Sequence, residues 1–243
     1  MSIFQKCQLF ADRSWKTVSD MPRETFEFWK DQSNNGAKKV TDHSNFIQTT
    51  KEVLKGFAPD IPLAHLFLLT DQQGDILYLQ GSREILIRLE AVGINVNASL
   101  SAANAGINAI SLAMYLNDMV VVEGHEHTLE IFREWTCLCV PIPLPDNEVG
   151  YLDLSFQKGV HIQFAIPLLK HISWLIQSKM TYEQHTDQLQ KLEMFNLSKR
   201  ELEVAQYWLY NKSVLHISHV LGIAEGTVRN TLKKVYRKTG VHK

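Results

Sequence analysis

The sequence predicts an α+β protein of two parts: an antiparallel sheet with flanking helices, then a small all-α module of four helices. Three observations predict it. Short apolar runs bounded by turn clusters fill the middle of the chain, with helical stretches before, between and after them. A length of 243 residues suits one or two domains. The charge is also divided. Residues 196–243 carry nine Lys or Arg against three acids, a net +6, whereas residues 1–195 carry 16 basic and 23 acidic groups, a net −7. That separation predicts a small polyanion-binding module attached to a larger acidic domain.

Composition narrows the class. Hydrophobic residues make up 45% and charged residues 21%, so a packed core forms and general disorder is excluded. No apolar run approaches the roughly 18–20 residues that span a bilayer. The start, MSIFQKCQLFADRSW, places charges where a signal peptide needs an unbroken apolar stretch. Three cysteines, two of them one residue apart, are too few and too irregular for a disulfide framework. These features together predict a reduced, cytoplasmic location with no membrane partner.

The elements follow in order. Residues 1–57 read as helical, with polar loops around Met21-Pro22 and Ser33-Asn34-Asn35-Gly36. Leu66–Thr70 and Ile76–Leu79 are apolar runs separated by Asp71-Gln72-Gln73-Gly74-Asp75, which reads as a β-hairpin. Helices are expected over Arg83–Ala91 and Asn108–Leu116, and strands over Met119–Glu123, Trp135–Ile142 and Val149–Phe156. Pro143–Asn147 marks a second hairpin. A long helical stretch then runs from Gln163 to about Phe195. Leu168, Ile172, Leu175, Tyr182 and Leu189 fall near a heptad stripe, interrupted by Lys179 and Thr186. Packing on its own domain and pairing with a second copy both fit that stripe. The expected division is a sensor over 1–163, a connecting or dimerisation helix over 164–195 and a basic module over 196–243.

In the basic module, Ser198 with Glu201 three residues on has the spacing of a capping box. Asn211 suits a left-handed helix end, Ser213 caps Val214–Leu221, and Gly222 stops it. Ile223-Ala224 makes a tight turn into a helix from Glu225 to Lys238, which Gly240 ends. Two helices joined by such a turn, the second rich in cations, describe a helix-turn-helix. Leu197-Ser198-Lys199-Arg200-Glu201-Leu202-Glu203-Val204, Ile217…Leu221-Gly222-Ile223, Gly226-Thr227-Val228 and Lys238-Thr239-Gly240-Val241 together resemble the LuxR-type DNA-binding domain, over about 45 residues. Ala224 and Asn211 depart from that family's usual Ser/Thr and Gly.

Double-stranded DNA is the partner this resemblance implies, with RNA polymerase a possible second. Val228, Leu232 and Val235 are spaced as one core-facing stripe. By resemblance, Arg229, Asn230 and Lys233 match the positions that reach base edges in the major groove, where Arg pairs with guanine and Asn with adenine. Thr227, Lys234 and Arg237 suit phosphate contacts, which position without reading sequence.

The acidic part has none of the remaining acid and lysine pattern of a receiver domain, so Asp71 reads as a turn residue. Leu68–Leu77, Ala105-Gly106-Ile107-Asn108-Ala109-Ile110, Val121–His127, Thr136-Cys137…Pro141-Ile142 and Gly150-Tyr151-Leu152-Asp153-Leu154-Ser155 resemble, in that order, the GAF-type sensory domain of activators of acetoin and glycerol catabolism. The ATPase of those activators is missing, for no Gly-x-x-x-x-Gly-Lys-Ser/Thr loop occurs. The resemblance implies a GAF/PAS-like sensor holding a small ligand between its sheet and a covering layer.

Candidate lining residues are Asn104, Asn108, His127, Trp135 and Cys137. Alternation sets Trp135, Cys137 and Cys139 on one face of their strand and Thr136, Leu138, Val140 and Ile142 on the other; either face could line a pocket. The bland reading of both cysteines is that of small buried hydrophobes. His125, His127, Cys137 and Cys139 hold enough nitrogen and sulfur for a metal, although the resemblance needs none there, and no metal or cofactor is expected. Free N–H groups at the helix start near Asn108 could meet an anion, or simply be capped. The leading expectation is a homodimeric, effector-controlled transcription regulator that binds a pseudo-palindromic site. A protein-interaction platform and a Cys/His redox or metal switch are the alternatives. No nucleophile motif or paired catalytic carboxylates mark an enzyme.

Overall fold

The structure, a computed structural model, describes residues 16–18 and 42–240. The loops expected at Met21-Pro22 and Ser33–Gly36 lie outside the described residues. Of the helical reading of residues 1–57, α1 (Ser44–Lys55) is observed, whereas Lys16 instead pairs with Val120 in a parallel β-bridge, its backbone taken up by the edge of the sheet. It buries Phe46, Thr49, Thr50, Val53 and Leu54, one stripe at helical spacing.

The expected hairpin is β1 (His65–Thr70) and β2 (Ile76–Gly81). Asp71 closes its turn, Oδ1 accepting from the Gln73 and Asp75 amides, both at 2.9 Å. α2 (Arg83–Ala91) begins at Ser82, whose hydroxyl accepts from the Ile85 amide. A one-turn α3 (Ala102–Ala105) and α4 (Ala109–Leu116) lead to β3 (Val120–Glu123), β4 (Trp135–Pro143) and β5 (Val149–Gln157). The five strands lie in the order β2-β1-β5-β4-β3, every neighbouring pair antiparallel. At the β3 edge, the Lys16 amide donates to Met119 O at 2.7 Å and the Val121 amide to Lys16 O at 2.8 Å.

The sheet is covered on both faces, which is why its central strands read as nearly continuous apolar runs. On one face Phe67, Leu138 and Leu154 form a cross-strand row and pack with α1 and with α5 (Ala165–Glu193), through Ala165, Leu169, Ile172 and Ile176. On the other, Leu68, Cys137, Cys139 and Tyr151 pack under α2 and α4, through Ile85, Leu89, Ile110 and Leu112. The alternation expected of the Trp135–Ile142 segment is therefore observed, with Trp135, Cys137 and Cys139 on the α2/α4 side.

The chain divides into two compact units between Met180 and Thr181, inside α5. The first half of that helix belongs to the sheet's own core, because Leu169, Ile172 and Ile176 are fully buried there. The second unit holds α6 (Lys199–Leu209), α7 (Val214–Leu221) and α8 (Glu225–Thr239). Three helices are thus present among the described residues of the module, where four were expected. Their core is small: Val204, Ile217, Val228 and Leu232, flanked by Tyr207, Trp208 and Tyr236.

Candidate functional site

The basic module depends on its helix ends. Ser198 and Glu201 form the expected capping box: the Glu201 amide donates to Ser198 Oγ at 3.3 Å, and the Ser198 amide to Glu201 Oε2 at 2.8 Å. Lys238 Nζ also donates to Glu201 Oε2 at 2.6 Å and to Asn196 O at 3.2 Å, tying the end of α8 to the start of α6. The Lys238 ammonium and the Ser198 amide hold the Glu201 carboxyl down at about 2. Asn211 is left-handed at φ 55°, and Gly222 at φ 62° ends α7. Ala224 stands at the N-cap of α8 with no side-chain cap, as its methyl group dictates. Arg200 Nη2 donates to Leu221 O at 2.8 Å, and Trp208 Nε1 to the Tyr236 hydroxyl at 2.8 Å.

α8 presents two faces. Val228, Leu232 and Val235 are buried, whereas Thr227, Arg229, Asn230, Lys233, Lys234 and Arg237 are all exposed. Arg229 Nη2 donates to Glu225 Oε2, one turn back, at 3.0 Å.

In the sheet domain, the loops before α4 and after β3 are laced together. The Ile107 amide donates to Thr128 Oγ1 at 2.8 Å, and the Thr128 amide to Ile107 O at 2.9 Å. Gly106 permits this approach: its φ is +62°, and a Cβ there would stand 2.6 Å from Thr128 Cβ. Asn108 and His127 are thereby brought beside a cavity of about 10 Å³, room for one water. Cys137, Asp153 and Ser155 line it from the sheet, with Leu68, Leu100 and Phe132 among its apolar walls.

Of the expected lining residues, Asn108, His127 and Cys137 meet there, and Asn104 and Trp135 do not. The Asn104 side chain is exposed and donates to Ser101 Oγ, while Trp135 is half-buried at the rim of the same apolar face. Asn108 acts as a helix cap, Oδ1 accepting from the Ser111 amide at 3.0 Å, so the start of α4 is capped rather than open.

His125 is exposed and His127 is buried, its ring beside Phe132. The four candidate metal ligands do not converge: among the described residues no group of three or more His, Cys, Asp or Glu could hold a metal. Burial, then the nearby Asp153, pushes both the Cys137 and Cys139 thiols well above their ordinary range.

Asp153 and Ser155 are the residues sequence reasoning missed. Asp153 pairs across the sheet with Leu68 and Cys139, and Ser155 with Leu66 and Cys137. Asp153 is 2% exposed; burial raises its carboxyl to about 7, and a hydrogen bond from Ser155 Oγ opposes the shift. A carboxylate inside an apolar strand was the available signal. His127, 1% exposed, has its Nδ1 on Gly124 O at 3.0 Å, and its Nε2 has no partner.

The three helices, their glycine turn and the exposed cationic face of α8 define a helix-turn-helix DNA-binding module. Residues 195–243 match the bacterial regulatory proteins of the luxR family, and this module is a luxR-type DNA-binding domain. Two curated relatives are similar to part of the chain. The acetoin dehydrogenase operon transcriptional activator AcoR of Bacillus subtilis (strain 168) is 24% identical over 155 residues, 63% of this chain and 26% of the relative. A signal-transduction and transcriptional-control protein of Clostridium beijerinckii is 28% identical over 121 residues, 46% of this chain and 19% of the relative. The chain thus spans about a quarter or less of the length of these relatives. Among solved structures, a chain of the crystal structure of the E. coli DhaR(N)–DhaL complex superposes with a TM-score of 0.54 at 17% identity, covering 78% of this chain and 64% of that one. That likeness is one of fold.

Proposed function

We propose that this luxR-type regulator binds a pseudo-palindromic DNA site as a homodimer and is controlled by a small effector held in a GAF-like N-terminal domain. The observation that carries the DNA reading is the division of α8, with Val228, Leu232 and Val235 buried and Arg229, Asn230 and Lys233 exposed. Arg229, Asn230 and Lys233 read base edges; Thr227, Lys234 and Arg237 hold phosphates. One such module reads few base pairs, so specificity calls for two on a two-fold-related site. The second half of α5 and the sheet domain supply the dimer contact, with residues 1–163, 164–195 and 196–243 as sensor, connection and reader. RNA polymerase is a further partner, no enzymatic role is assigned, and the protein works in the cytoplasm; no helix among the described residues is long and apolar enough to cross a membrane.

The effector reading rests on the cavity where Asn108, His127 and Cys137 meet, and the acetoin-operon relative supports a metabolite-linked role. A redox switch is disfavoured by the raised thiols, since the thiolate is the reactive form.

The DNA test is Arg229→Ala, which is expected to cost about 1–3 kcal/mol of binding and to relax one base position in selection from randomised duplexes. Unchanged affinity and preference would refute the docking of α8. The effector test is Cys137→Trp, which overfills the cavity: with circular dichroism showing the sheet domain still folded, DNA binding by the full chain should stop responding to cell metabolites, while residues 196–243 alone bind DNA as before.

A further inference from the structure

The cavity under α4 has a polarity that selects among ligand classes. Asn108 has no donor left: besides the Ser111 amide on Oδ1, its Nδ2 donates to Leu100 O at 2.9 Å and to Gly106 O at 3.1 Å. The Ser155 hydroxyl hydrogen is spent on Asp153. The carbonyl of Gly124 can only accept, so the proton of the His127 ring sits on Nδ1 and Nε2 presents a lone pair. Burial lowers the ring's pKa, against the Gly124 hydrogen bond, and so favours its neutral form.

What these side chains leave to a ligand is therefore chiefly hydrogen-bond acceptance, at His127 Nε2 and at the Asp153 carboxylate. An anion would meet the Asp153 carboxylate, with only the weakly donating Cys137 thiol for its oxygens. No Lys or Arg among the described residues pairs with Asp153, although its side chain is buried at the centre of the sheet. A buried carboxylate without a counter-ion is costly, and a cation brought in by a ligand removes that cost. The acidic balance of residues 1–195, 16 basic against 23 acidic groups, also draws cations toward this domain.

We propose that this cavity is a cation site that takes the ammonium head of a compact amine, with Asp153 as its counter-ion and His127 Nε2 as a hydrogen-bond acceptor. It rests on the reading of the N-terminal domain as an effector sensor. An ammonium group matches the one-water room of the cavity that both acceptors line, and carries enough hydrogens to donate to each. Leu68, Leu100 and Phe132 wall off the rest of that space, so the site admits the head group and little carbon beyond it.

The test uses the full chain, titrated by calorimetry with ammonium and methylammonium chloride against sodium chloride at equal ionic strength, and with the uncharged alcohols methanol and ethanol. Saturable binding of the amines is expected. Asp153→Asn, which keeps the shape and removes the charge, should weaken it about tenfold or more, and His127→Phe should weaken it less. Equal binding by wild type and Asp153→Asn overturns the proposal. Binding of the uncharged alcohols in place of the amines overturns the cation site but upholds an effector pocket. No binding of either class also overturns it, and the effector reading then stands or falls on the Cys137→Trp response.

Discussion

The two units of this chain handle a buried or half-buried carboxyl in opposite ways. In the sheet domain Asp153 lies between Leu68 and Cys139 with a hydroxyl for a partner, and its carboxyl rises to about 7. In the DNA-binding module Glu201 meets the Lys238 ammonium and the Ser198 amide, and its carboxyl falls to about 2. The difference follows from size. A sheet covered on both faces has apolar burial to spare and can carry an unpaired polar group at a site that uses it. A three-helix module with a core of Val204, Ile217, Val228 and Leu232 has little, so its caps and its Glu201–Lys238 tie matter more.

That contrast can be broken first at the cores. Leu154→Ala should remove about 2–5 kcal/mol from the sheet domain, because the fully buried side chain leaves a cavity in the Phe67–Leu138 row. Scanning calorimetry should show the transition of that domain moved down and DNA binding by residues 196–243 unaffected. A single transition shifted as a whole would mean that the units unfold together.

The carboxyls give a pH contrast of opposite sign. Asp153 rises from 3.8 unfolded to about 7 folded, so its contribution is complete below about 4 and is lost as pH climbs to about 7. Glu201 falls from 4.5 to about 2, so its contribution is complete above about 4.5 and is lost as pH drops toward 2. Denaturation from pH 5 to 8 should therefore flatten in Asp153→Asn and keep its wild-type slope in Glu201→Gln. The same slope in wild type and Asp153→Asn would show that Asp153 is not the titrating group.

The smallest expected effects are at the caps. Ser198→Ala should cost the basic module about 1 kcal/mol, since it loses an acceptor for the Glu201 amide. Ala224→Ser should stabilise the module by about 0.5–1 kcal/mol, supplying α8 with the acceptor it lacks. Denaturant midpoints of residues 196–243 would read both, and a neutral Ser198→Ala would place the burden on Lys238 instead.

What was legible in the sequence was local. α2 ends where expected, at Arg83 and Ala91, because Ser82 caps it and its apolar spacing is helical. The hairpin at Asp71–Asp75 and the buried stripe Val228, Leu232, Val235 likewise depend on residues a few positions apart. The candidate site was half legible. Asn108, His127 and Cys137 were identified from their setting in the chain, whereas Asn104 and Trp135 point elsewhere because one-turn α3 exposes the first and the rim of the sheet holds the second.

The sequence by itself determined the charge division, the helix ends of the DNA-binding module and the parity of the Trp135–Ile142 strand, all of which follow from neighbouring side chains and backbone geometry. Only the tertiary structure decided that Asp153 and Ser155 would line the same cavity as His127. Their meeting depends on β5 lying between β1 and β4, and on Gly106 letting Thr128 draw the loop after β3 against the loop before α4. Strand order and loop contact join residues far apart along the chain, and no periodicity within a single segment encodes them.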